Sequence, residues 1–269
     1  MAEQDTGTSD VLVERRDHVM IITLNRPEAR NAVNQAVWVA AGRALAEAER
    51  DPEVRVVIVT GAGSQSFCAG ADLKAISRGE AIVPEDPVQQ AWGFAGIVSH
   101  VVSKPLIAAV NGAALGGGTE LALACDLVVA VETASFGLPE VKRGLIAGAG
   151  GAFRLVQQLP RKLAMEMLLT GEPIDAARAL ELGLVNKVVP PQDLMQAALT
   201  MAGRIATNAP LSVQASKRIA LGIADGSIPR EEELWAATRR ESTALRSSAD
   251  AQEGPRAFAE KRLPVWTGR

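Results

Sequence analysis

The sequence predicts an α/β fold. Near-continuous β-branched runs stop at glycine-rich turns, those turns open into helical patterns, and the last third carries helical spacing almost throughout. At 269 residues the chain is long enough for one α/β domain with a smaller helical appendage.

Residues 11–14 and 19–24 read as two short strands around a charged turn, a hairpin. Residues 34–50 carry Ala, Val, Trp and Leu at helical spacing and stop at Asp51-Pro52, which predicts a helix. Residues 54–60 form a β-branched run of the kind buried on both sheet faces, ending in Gly61-Ala62-Gly63. Residues 106–110 repeat the pattern before Asn111-Gly112, and residues 128–131 do so again. Helices are expected between these strands, over 88–102 and 117–125. From Arg161 onward helices are predicted over 162–169, 175–182, 192–207, 211–223, 230–247 and 251–261, interrupted by one strand over 185–189. The expected division is a core over 1–200 and a helical region over 201–269, with no long linker.

Composition removes several function classes. No apolar run approaches the roughly 20 residues needed to span a bilayer. The opening, residues 1–10, is polar and slightly acidic without a basic or apolar leader pattern, and is read as the lead-in of a cytoplasmic protein. A formal net charge of -3 supplies no basic field for nucleic acid. With two His, no Tyr, and Cys68 and Cys125 each in apolar surroundings, a zinc site or a histidine-based triad has little to work with. The thiols read as buried and inert.

Three segments carry candidate chemistry. In the first, Gly116-Gly117-Gly118 follows a buried strand and opens a helix, exposing backbone N–H groups at the positive end of the helix dipole. Glu120 lies in that helix, followed by apolar residues 121–125, so desolvation is expected to raise its pKa. Taken alone, Glu120 equally suits an ordinary first-turn acid. The second is residues 64–74, small residues after a buried strand that let a ligand approach the backbone; they suit an ordinary strand-to-helix turn as well. The third is residues 135–140, which set Glu140 directly after Pro139, a placement also natural for a surface turn acid. Together they put two backbone donors and two acids on loops that follow buried strands, where α/β folds place their sites.

At this point the chain resembles the enoyl-CoA hydratase/isomerase, or crotonase, superfamily. The likeness runs over residues 24–32, 67–74, 116–120, 136–140, 148–151, 182–185 and 258–262, in family order and across nearly the whole chain. It implies a crotonase-like (ClpP/crotonase) spiral of ββα units with a C-terminal helical trimerisation region. It also implies a homotrimer, or a hexamer of paired trimers, acting on an acyl-CoA substrate, with coenzyme A entering as part of that substrate and no separate cofactor or metal. By the same resemblance the N–H groups of Ala71 and Gly117 match the oxyanion hole, while Glu120 and Glu140 match the acid–base pair that hydrates an enoyl-CoA. Substrate binding falls on Ala32, Ala69, Gly70, Asp72, Leu73, Lys74, Gly116 and Pro139. Phe258 and Lys261 match the pair that reaches the nucleotide of a neighbouring subunit, and residues 79–90 match the segment that shapes the acyl pocket.

The chain departs from the common hydratase pattern at Leu138, where glutamine is frequent, and at Ala147, where proline is usual. Both leave the acyl group open, and the Leu138-Pro139-Glu140 version also resembles carnitinyl-CoA dehydratases. A nicotinamide-dependent oxidoreductase is suggested by Thr60-Gly61-Ala62-Gly63 after a strand, but the third glycine of that fingerprint is missing and there is no tyrosine.

Overall fold

The computed structural model describes residues 10–269; the lead-in expected at the start lies, apart from Asp10, outside the described residues. A six-stranded sheet forms the centre, in the order β1 (Val11–Arg16), β2 (Val19–Leu24), β3 (Val56–Gly61), β5 (Leu106–Val110), β7 (Leu127–Val131) and β10 (Lys187–Val189). Only the β1–β2 hairpin is antiparallel. Every residue of β3 and β5 is buried, which is why these strands appear in the sequence as unbroken apolar runs rather than alternating ones.

A second, small sheet runs in the order β4 (Ser66–Cys68), β6 (Ala113–Leu115), β8 (Ser135–Gly137) and β9 (Ile174–Asp175). It explains the spiral. β3 passes into β4 and then α2 (Leu73–Ser77), β5 into β6 and then α4 (Gly117–Ala124), and β7 into β8 and then a 3-10 turn over Pro139–Arg143. Each pass thus lays one strand in the large sheet and a short one in the small sheet, so the predicted ββα spiral is the architecture observed. The three segments singled out for chemistry leave the small sheet side by side.

Helix α1 (Gln35–Arg50) packs on β1 and β2 and is capped at its start by the Asn34 side chain, which accepts from the Val37 N–H at 2.9 Å. At its other end the buried Lys104 donates to the carbonyls of Ala48 and Asp51. The helix predicted over 88–102 is not formed. Instead α3 covers only Pro87–Ala91, followed by a 3-10 turn over Phe94–Gly96. Gly93, Ala95 and Gly96 all take positive φ, which a continuing right-handed helix cannot accommodate. The apolar residues that suggested a helix, Phe94, Ala95, Ile97 and Val98, are buried in an irregular segment. Gly96 lies so close to α1 that a Cβ there would fall 2.2 Å from the Trp38 carbonyl oxygen.

The remaining helices are α5 (Gly151–Gln158), α6 (Arg161–Thr170), α7 (Ala176–Glu181), α8 (Leu194–Ala206), α9 (Pro210–Leu221), α10 (Pro229–Arg246) and α11 (Ala249–Ala259). Residue 200 falls inside α8, which buries Ala197, Ala198, Ala202 and Ala206 and packs against β2, β3, β5 and β7. α9 follows, tied to the starts of β5 and β7 by Lys217, whose Nζ donates to the Lys104 carbonyl at 2.9 Å and pairs with Asp126 at 2.7 Å. Among the described residues no helix is long and apolar enough to cross a membrane.

Candidate active site

Helix α4 begins at Gly116, whose φ of 56° directs the chain from β6 into the helix. Glycine is required along this start: a Cβ on Gly117 would sit 2.5 Å from the Phe94 ring, and one on Gly118 would sit 1.9 Å from the Cys68 carbonyl oxygen. The loop after β4 lies alongside, because a Cβ on Gly70 would be 3.3 Å from the Gly117 nitrogen. Backbone pairing of Val33 with this loop uses the Gly70 carbonyl and the Asp72 N–H, so the Ala71 N–H between them has no backbone acceptor among the described residues. Gly117, as the first helical residue, has no intrahelical acceptor either. Two small-residue loops thus bring two unspent N–H donors together.

The Glu120 side chain is buried within the first turn of α4. Its Oε1 accepts from the Ala149 N–H at 2.7 Å and the Gly151 N–H at 2.9 Å. Burial and the nearby Glu140 carboxyl push its pKa up to about 8, against the two amide donors and Arg154, which favour the charged form. Glu140 stands in the 3-10 turn after Pro139, and a Cβ on Gly116 would lie 3.0 Å from its Oε1. Its Oε2 is buried without a hydrogen-bond partner among the described residues, and desolvation raises its pKa to about 7. Two acids whose pKa values burial raises toward neutrality, beside two free amide donors, form an arrangement suited to proton exchange with a bound molecule near neutral pH.

Other predicted positions fall into distinct places. Ala32 is buried and its carbonyl accepts from Arg26 Nη1 at 2.7 Å. Ala69 and Gly70 line the loop beside Gly117, the latter at a φ of 92°. Asp72 caps α2 by accepting from the Ala75 N–H at 3.0 Å and pairs with Arg26 at 2.8 Å. Although burial works to raise it, those partners hold its carboxyl below the usual range. Asp72 therefore shapes the loop. Leu73 and Lys74 are exposed on α2. Phe258 is half exposed with the Arg143 guanidinium 4.1 Å above its ring, and Lys261 is exposed at a φ of 54°. Both belong to the α11 end of the chain, which packs on this same chain's Glu140 turn. There a Cβ on Gly254 would lie 2.0 Å from the Arg143 carbonyl oxygen. Leu138 is buried, and so are Cys68 and Cys125, whose thiols desolvation pushes up to about 12.

The sequence reading did not single out the groups that hold Glu120. The amides of Ala149 and Gly151 are backbone donors, so no side chain announces them. Arg154 lies on α5, an eight-residue helix that follows directly on a glycine-rich stretch and is not predicted from the sequence.

Comparison with known proteins gives the family. A sequence model described as enoyl-CoA hydratase/isomerase matches residues 14–269. A carnitinyl-CoA dehydratase of Salmonella typhi is 44% identical over 259 residues, covering 95% of this chain and 97% of that protein. Among solved structures, a carnitinyl-CoA hydratase from Mycobacterium avium is 63% identical with a TM-score of 0.95, over 97% of this chain and all of the other. An enoyl-CoA hydratase from Mycobacterium tuberculosis H37Rv is 46% identical with a TM-score of 0.75, over the same 97%.

Proposed function

The chain belongs to the enoyl-CoA hydratase/isomerase family, and on that premise we propose that it adds and removes water across the 2,3 bond of a coenzyme A thioester, with Glu120 and Glu140 as its acid–base pair. The observation that carries this reading is the meeting of two buried carboxyls of raised pKa with two free backbone donors.

In the hydration direction, ionised Glu120 takes a proton from water as the water oxygen bonds to C3. The double-bond electrons move into the thioester, and the resulting enolate oxygen accepts from the N–H groups of Ala71 and Gly117. Protonated Glu140 then delivers its proton to C2 and the carbonyl reforms. Preorganised donors of this kind are worth about 2.7–4 kcal/mol each in related oxyanion sites. Coenzyme A enters as part of the substrate, with the loop from Ala69 to Lys74 and the Phe258 and Lys261 end of α11 from a neighbouring copy of the chain as its proposed contacts.

A second reading, dehydration of a 3-hydroxyacyl-CoA such as carnitinyl-CoA, is favoured by the named relatives. It runs the same steps in reverse, with the Glu140 carboxylate removing the C2 proton and protonated Glu120 giving its proton to the leaving hydroxyl. Following the thioester chromophore with crotonyl-, longer 2-enoyl-, 3-enoyl-, crotonobetainyl- and carnitinyl-CoA separates these reactions. Water addition or elimination with at least one of them is expected; a 3-to-2 double-bond shift alone would sink the hydro-lyase reading.

A further inference from the structure

Beyond the acid pair, a buried polar cluster surrounds Arg154. This residue is buried on α5, one turn beyond Gly150, and its N–H donates to the Gly150 carbonyl at 2.9 Å. Its guanidinium forks onto the buried Glu231 of α10, Nε to Oε1 at 3.2 Å and Nη2 to Oε2 at 2.7 Å. The remaining Nη1 donates to the Val98 carbonyl at 2.8 Å. Trp235, one turn after Glu231, donates its indole N–H to the same carboxylate at 3.3 Å. Its ring stands edge-on to Phe153 with centroids 5.0 Å apart.

This cluster backs directly onto the Glu120 cradle. Gly150 lies between the two residues whose amides bind Glu120, and a Cβ there would be 3.0 Å from the Trp235 ring. The Gly150 φ of 95° aims the two flanking N–H groups at one carboxylate oxygen, and the tryptophan fills the space behind. Around α4, the titratable and charged groups facing Glu120 are Glu140 from the 3-10 turn, Arg154 from α5 and Cys68 from β4. The other two elements packed on α4, β6 and the turn over Phe94–Gly96, bring no ionisable side chain.

We propose that Arg154, clamped by Glu231 and Trp235 of α10, is a positioning residue for Glu120, fixing the Ala149–Gly151 amide cradle and supplying its facing positive charge. The inference rests on the acid–base reading of Glu120. It assigns α10 a part in the chemistry that no contact with substrate would reveal.

The test measures Glu120 ionisation in the substrate-free full-length protein by infrared difference, with E120Q subtracted, alongside the pH dependence of kcat and KM on crotonyl-CoA or crotonobetainyl-CoA. Removing the positive charge in R154M should move the Glu120 midpoint upward by roughly half a unit or more, whereas E231Q, which leaves that charge unneutralised, should move it downward. R154K should leave the midpoint in place yet lower kcat, since the fork is lost, with KM unchanged. A merely structural pair would shift stability in all three and the midpoint in none. Should the single variants fail to fold, R154M/E231L removes both charges together, a change that buried pairs commonly tolerate. It is expected to melt near wild type with kcat down by about tenfold or more at unchanged KM. Midpoints that stay put or move together in R154M and E231Q, or wild-type kcat in the double variant, would overturn the clamp. Wild-type turnover by E120Q would instead remove the acid–base reading on which it stands.

Discussion

A carboxyl that must carry charge in one half of a reaction and a proton in the other is best held where neither state is strongly preferred. Glu120 meets that condition through opposition: burial and Glu140 penalise its charge, while two amide donors and Arg154 favour it. E120Q and E140Q should each lose about 10²- to 10⁴-fold in kcat while still binding acyl-CoA, measured by steady-state kinetics and calorimetric titration. The same opposition affects stability. Both folded-state pKa values, about 8 and about 7, lie above the ordinary glutamate value of 4.5. The folded chain therefore holds more protons than the unfolded chain between those limits, so stability falls as pH rises through that window. E120Q keeps an oxygen acceptor for the two amides and cannot ionise. It should melt like wild type near pH 4 and be more stable near pH 9, by on the order of 2–4 kcal/mol in thermal or denaturant unfolding. In the sequence each acid alone reads as an ordinary turn or first-turn acid, and glycines 116–118 and Pro139 point to chemistry only in combination and through the family resemblance. Arg154 and Glu231 cannot be paired from the sequence, since 77 residues separate them and only the fold brings them together.

At the scale of elements, the site depends on places where helices and turns approach more closely than any side chain permits. Gly117 abuts Phe94, and Gly254 of α11 abuts the turn that carries Glu140. In Gly254→Val the new side chain meets the Arg143 carbonyl and must push α11 off that turn. Such a variant should keep its far-ultraviolet circular dichroism, which the sheets and other helices dominate, yet lose kcat by about tenfold or more as Glu140 is displaced. Unchanged kcat with a normal melting curve would mean that the turn holds itself. The long elements were legible because a buried parallel strand or an amphipathic helix leaves a periodic trace. The small sheet was not, because β4, β6 and β8 have three residues each, too few for a period to register. Residues 88–102 misled for the converse reason: their apolar side chains are buried as a helix's would be, but glycines 93 and 96 and Ala95 bend the backbone away from helix.

For the whole molecule, the ββα spiral delivers the glycine-rich start, the donor loop and the Glu140 turn to one side of the small sheet, and the C-terminal helices close on them from behind. α10 reaches Glu120 through Arg154, and α11 reaches Glu140 through Gly254. Helix α9 serves neither acid. It buries no residue fully, and Leu211 and Ile219, eight apart with Ala215 between them, are 77% and 82% exposed along one face. Its own chain holds this 12-residue helix on the opposite side, where Lys217 pairs with Asp126 at 2.7 Å, and leaves the stripe bare. The family resemblance implies a trimer or paired trimers, and further copies of the chain set against that stripe would cover it. Sedimentation equilibrium should therefore give a mass about three times, or six times, the 28.2 kDa of one chain. L211D/I219D, which puts charge on the stripe and touches neither acid, should sediment as a single chain with reduced α9 protection in hydrogen exchange. A wild-type protein that sediments at 28.2 kDa with α9 fully protected would show instead that the helix is stable alone.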